Sequence, residues 1–104
     1  MEGDAGYALQ KLELAVIDMA TGPGEIKSRL IGVYSEHLHV VNEKDFPDTL
    51  KPQWREIKKQ LTKKGSISKS LFRLHKKTLV KIANNIVILS QQLRGYLEDV
   101  ANNP

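Results

Sequence analysis

The residues with the clearest capacity for chemistry are cations. Between positions 51 and 81 stand Lys51, Arg55, Lys58, Lys59, Lys63, Lys64, Lys69, Arg73, Lys76, Lys77 and Lys81, against the single acid Glu56, a net of +10. The fifty residues before them hold nine acids and four bases, a net of −5, so the overall +4 hides a strong internal asymmetry. A run this one-sided exceeds what solubility asks of a small domain. Such a surface attracts phosphate backbones by releasing condensed counterions, or steers acidic proteins toward it. Residues 51–81 are therefore the candidate contact for a DNA or RNA backbone, with an acidic protein partner as the alternative.

The residue types limit what that contact can read. Most of the cations are lysines, which act as point charges, and only Arg55 and Arg73 present a fork that grips phosphate or guanine with two hydrogen bonds. Trp54 and Phe72 fall on or beside apolar stripes, so stacking aromatics are expected to be missing from the basic surface. Backbone-dominated, salt-sensitive binding follows, without base-specific readout.

Other chemistry is poorly supported. His37 and His39 lie two residues apart, about 200° around a helix, so they cannot share a metal ion as an i, i+4 pair would. His37 sits on an apolar stripe and reads as a partly buried core histidine; no metal and no cofactor are expected. There is no strand-turn-helix nucleophile elbow and no glycine-rich phosphate loop. Gly22-Pro23-Gly24 precedes a helix, but Glu25 already occupies that anion-attracting end, so it reads as a turn. With no cysteine in the chain, thiol nucleophiles, disulfides and cysteine-bound zinc are excluded. A binding module rather than an enzyme is expected.

Two helical nucleic-acid architectures share features with the chain. Small ribonucleases of the HEPN class place an arginine and a histidine at short helical spacing. Neither Arg29 with His37 nor Arg73 with His75 keeps that spacing, and the likeness stops at small helical architecture. A helix-turn-helix over Ala8 to Leu30 would put Glu25, Lys27 and Arg29 on its reading helix, in the acidic half of the chain, which argues against DNA contact there.

The elements that must position the cations are helices. Ala5, Leu9, Leu12, Val16 and Met19 recur at steps of four and three, predicting a helix from about Asp4 to Ala20 that stops at Thr21-Gly22-Pro23-Gly24. Ile26, Leu30, Val33, Tyr34, His37, Leu38 and Val41 predict a second from about Glu25 to Val41, followed by a linker near 42–47. Leu50, Trp54, Ile57 and Leu61 predict a third over 49–63, with Pro52 in its first turn and Gly65 beyond its end. Ser66 or Ser68 opens the last segment, whose stripe runs through Ile67, Leu71 and Leu74, then Ile82, Ile86, Leu89, Leu93, Tyr96 and Val100. Its register slips around Lys76 to Thr78, so residues 68–100 form either one helix of about 50 Å or two broken near Lys77.

The expected architecture is an all-α antiparallel bundle of four helices, possibly five, forming one domain over 1–104. Its core is drawn from Leu9, Leu12, Val16, Leu30, Val33, Trp54, Ile57, Leu61, Leu71, Ile82, Ile86, Leu89 and Leu93. If the third and fourth helices pack antiparallel, two basic stripes meet at Gly65 as one positive surface. An overhanging C-terminal helix points to a homodimer through that helix. The composition, 40% hydrophobic and 27% charged, is that of a globular chain rather than a disordered one. The polar, acidic opening lacks a secretory signal, and no apolar run nears the roughly 18 residues that cross a bilayer, so no membrane partner and a cytoplasmic setting are expected. Ala20 to Leu30 (ATGPGEIKSRL), Asp45-Phe46-Pro47 and Leu61 to Gly65 (LTKKG) ahead of a long helix resemble a set of small bacterial all-helical proteins. That resemblance covers most of the chain, implies a bacterial or phage cytoplasmic origin and carries over no site.

Overall fold

The computed structural model describes residues 3–103. Its elements are α1 (Ala5–Thr21), α2 (Ile26–Glu36), α3 (Lys51–Thr62), α4 (Ile67–Leu71) and α5 (Lys76–Asn102), with short 3-10 turns at Leu38–Val40 and Glu43–Asp45. The protein is all-α, with a long C-terminal helix as its spine. At 1.5 Å per residue the 27 residues of α5 span about 40 Å. α1, α2 and α3 all pack against it. Gln53, near the start of α3, bonds Gln92 of α5 at 2.7 Å, and Glu13 of α1 ion-pairs with Arg94. No helix among the described residues is long and apolar enough to cross a membrane.

Local chemistry sets several of the helix ends. Asp4 caps α1, its carboxylate accepting from the Tyr7 N–H at 3.0 Å. Ser66 caps α4 in the same way, accepting from the Lys69 N–H. Pro52 lies in the first turn of α3, where its missing N–H costs nothing. After α1, Gly22 is extended, and it is Gly24 that takes the left-handed conformation at φ 86°. A side chain at Gly22 would put its Cβ 2.5 Å from the Asp18 carbonyl, so close approach rather than handedness demands glycine there.

Two sequence expectations are corrected and one open alternative is decided. First, α2 ends at Glu36 rather than Val41, and Leu38–Val40 tightens into a 3-10 turn that still buries Leu38 and Val41. Second, residues 42–47 are more than a linker. Asp45 is 7% exposed and its carboxylate accepts from the Asp4 N–H at 3.0 Å and the Asn42 N–H at 2.9 Å, tying the start of α1 to this loop. Phe46 is buried beside it and stacks on Trp54, ring centroids 5.4 Å apart.

Of the two forms open for the last segment, the structure has two helices, interrupted at residues 72–75. A continuous helix from Leu71 would carry its inward face through Leu74, His75 and Thr78, placing two polar side chains in the core. Breaking the helix lets α5 restart in a register that buries Leu79, Ile82, Ile86, Leu89 and Leu93. The break frees backbone carbonyls at the end of α4, and Lys27 satisfies one by donating from Nζ to the Phe72 oxygen at 2.9 Å.

The core contains the expected residues except that Leu9 and Val16 are only partly buried. On α1 the innermost positions are Ala8, Leu12, Ala15 and Met19, a stripe rotated from the expected one. Small side chains at Ala8 and Ala15 leave room for a closely packed neighbour, and α1 lies against α5 and α2.

Candidate nucleic-acid interface

The eleven cations of residues 51–81 divide by what surrounds them. Two are engaged. Arg55 grips Glu43 with two hydrogen bonds of 2.9 Å, and Lys51 bonds Asp48 at 2.7 Å. Glu43 and Asp48 come from the segment between α2 and α3, so these pairs hold that segment to the first turns of α3. The other nine have no acid within ion-pair distance among the described residues, and all but Lys58 are exposed. Charge available to a ligand is therefore concentrated away from the start of α3, from Lys58 onward.

The ion pairs leave a titratable mark. The hydrogen bonds from Arg55 hold the Glu43 carboxyl below its ordinary 4.5, against an opposing cost of desolvation and with Coulomb attraction adding to the lowering. The Lys51 hydrogen bond likewise holds Asp48 below 3.8, and Glu43 raises the Arg55 guanidinium in return. A carboxyl depressed in the folded state adds stability above its unfolded value, and that contribution disappears as pH falls through the folded value. In a carbon-detected NMR titration the Glu43 midpoint is expected below 4.5 and should return toward 4.5 in Arg55→Gln. An identical midpoint in the two proteins would mean that the pair does not form in solution.

The two basic stripes do not lie on two long antiparallel helices. α4 has only five residues, so Lys69 sits on that short helix, Arg73 in the break after it, and Lys76 and Lys77 in the first turn of α5. The basic surface thus follows the second half of α3, the turn at Gly65, α4 and the break. Gly65 takes the left-handed φ of 92° at that turn.

Two residues join this surface that the charge count could not assign to it. Phe72, expected on or beside the apolar stripe, is instead 70% exposed, because the break ends the stripe at Leu71. Lys27, from the acidic half of the chain, places its ammonium 5.9 Å from the Phe72 ring centroid. Lys27 also lines a groove of about 420 Å³ between the start of α2 and the start of α5, together with Arg29 and Lys76; Glu25 is the acid on its wall. Only the packing of α2 against α4 and α5 brings these residues together.

The histidines separate as expected. His39 is exposed, whereas the His37 side chain is 14% exposed at the end of α2. His37 Nε2 meets the Asp18 carboxylate at 2.6 Å and lies 3.9 Å from Glu36. One imidazole and two carboxylates come within 4.8 Å of one another here, a grouping that spacing along α2 does not reveal because Asp18 belongs to α1. The direct His37–Asp18 bond fastens the end of α2 to α1. No protein-family model, no curated protein and no solved structure matches the chain.

Proposed function

We propose that the protein is a non-enzymatic binding module that contacts the nucleic-acid backbone through Lys58, Lys59, Lys63, Lys64, Lys69, Arg73, Lys76 and Lys77. The observation that carries this reading is the set of cations that have no acidic partner among the described residues while Lys51 and Arg55 are neutralised. Such cationic groups on one continuous stretch of chain gain by replacing the counterions of a phosphate backbone. Of the two arginines in the run, Arg55 is held by Glu43, whereas Arg73 has no acidic partner among the described residues and can offer a bidentate grip on phosphate.

The test is fluorescence anisotropy with labelled DNA and RNA at about 50 and 200 mM salt. With about five phosphate contacts on a single strand, affinity should fall roughly 100-fold across that range. Absence of binding at the lower salt would overturn the reading and favour an acidic protein as the occupant of the same cations. Pairing of two copies through α5 is proposed alongside it. Tyr96 and Val100, 40% and 50% exposed, continue the stripe of Leu89 and Leu93 beyond the covered part of the helix. Light scattering on the same samples should then give twice the 11.7 kDa chain mass, and the single-chain mass would exclude the pair.

A further inference from the structure

We propose that Phe72 is a stacking platform for an unpaired base, so that the nucleic acid bound at the basic surface is single-stranded. This rests on the backbone-binding reading and sharpens it to a ligand class. The chain has two phenylalanines and one tryptophan, and packing treats them oppositely: Phe46 and Trp54 are buried, whereas Phe72 is 70% exposed. A solitary exposed apolar side chain is ordinary on a protein surface. What distinguishes Phe72 is that cations from two elements lie beside it.

Lys69 lines the same shallow depression as Phe72, Arg73 follows it in sequence and is exposed, and Lys27 reaches it from α2. Lys27 holds the site twice over, donating to the Phe72 carbonyl and setting its ammonium within the about 6 Å reach of a cation–π contact. The backbone that carries the ring is therefore anchored rather than free.

Stacking platforms for single strands combine these two components, an aromatic face for a base and a positive track for the flanking phosphates. With a base on Phe72, an adjacent phosphate can be met by Lys27 or Lys69, the cations placed at the ring. The phenyl ring has no polar atom with which to select among bases, so recognition should tolerate any sequence. Bases in a duplex are already stacked inside the helix and cannot reach a ring on the protein surface. The ring consequently adds affinity only for single strands, whereas the lysines attract both.

The experiment compares a short labelled oligothymidylate, the matching oligouridylate and a blunt duplex of equal length, against the whole chain and Phe72→Ala. Loss of one stacked base should weaken single-strand binding about 5- to 150-fold while duplex affinity and the salt slope stay unchanged. Phe72→Trp should restore single-strand affinity, and Phe72→Leu, apolar but not aromatic, should not. Emission from the buried Trp54 checks that the alanine and leucine variants remain folded. Salt-sensitive binding with no difference between Phe72→Ala and the parent, or an equal loss on duplex and single strand, would overturn the stacking role and leave the backbone reading intact. Absence of binding to any of the three at low salt would overturn the backbone reading itself.

Discussion

Simultaneous replacement of Lys59, Lys69, Arg73 and Lys76 by glutamate is expected to reduce nucleic-acid affinity by roughly 100-fold or more at 50 mM salt. All four side chains are exposed and none has an acidic partner among the described residues. Reversing them therefore leaves no buried charge behind and breaks no ion pair. It also relieves repulsion within a run that carries eleven bases and one acid, so thermal stability should hold or rise slightly. The residual binding should show a flatter salt dependence, since each lost phosphate contact removes about 0.7 from the slope on a single strand. Reversing Arg55 instead should cost less affinity, because Glu43 already neutralises it, and should be felt first in the packing of the 3-10 turn against α3. Unchanged affinity in the fourfold variant would remove residues 58–77 as the contact surface. The measurement is the same anisotropy titration, with circular dichroism to establish that the variant is folded.

Trp54→Ala should be the most damaging single substitution for the fold. The side chain is 1% exposed, lies on the inward stripe of α3 with Ile57 and Leu61, and stacks on Phe46. Emptying such a site costs about 3–5 kcal/mol, a large share of the 5–15 kcal/mol that stabilises a domain. For a chain of this size the melting temperature should drop roughly 15–30 °C. Trp54→Phe should cost far less. It keeps an aromatic ring against Phe46, and the indole Nε1 it removes has no hydrogen-bond partner among the described residues. Circular dichroism is the appropriate probe, because either change removes the only tryptophan. A loss of only a few degrees in Trp54→Ala would mean that the Phe46–Trp54 contact is peripheral to the core. Because α3 carries Lys58 and Lys59 and leads into the rest of the basic surface, this variant should lose binding together with its fold, whereas Phe72→Ala should lose single-strand binding with the fold intact.

The all-helical class and the existence of the main elements were legible from periodicity alone. Leu50, Trp54, Ile57 and Leu61 predicted α3 because a helix repeats every 3.6 residues whatever it packs against. The punctuation at Gly22-Pro23-Gly24 and Gly65 was equally local, since glycine and proline act on the backbone of their own turn. The slip around Lys76 to Thr78 left one helix or two open, and the backbone places the break a few residues earlier, at 72–75.

What escaped was every property that depends on a neighbouring element. Size-weighted reasoning favours Leu9 and Val16 as the inner face of α1, but the packed helix turns Ala8 and Ala15 inward. The polar run at 42–45 reads as linker until Asp45 is seen accepting from the start of α1. Lys51 and Arg55 count as available charge until Asp48 and Glu43 are placed beside them. Phe72 reads as lying on or beside an apolar stripe from its position among hydrophobic residues, and its exposure follows only from where α4 stops. Lys27 stands 45 residues before Phe72, in a segment of opposite charge, and their contact exists only because α2 crosses α4. Helical character and the accumulation of charge could be read along the chain because both depend on residues close together in it. Which faces are buried, which cations are neutralised and how far each aromatic ring meets solvent came only with the packed helices, because those depend on distances between residues that the chain keeps far apart.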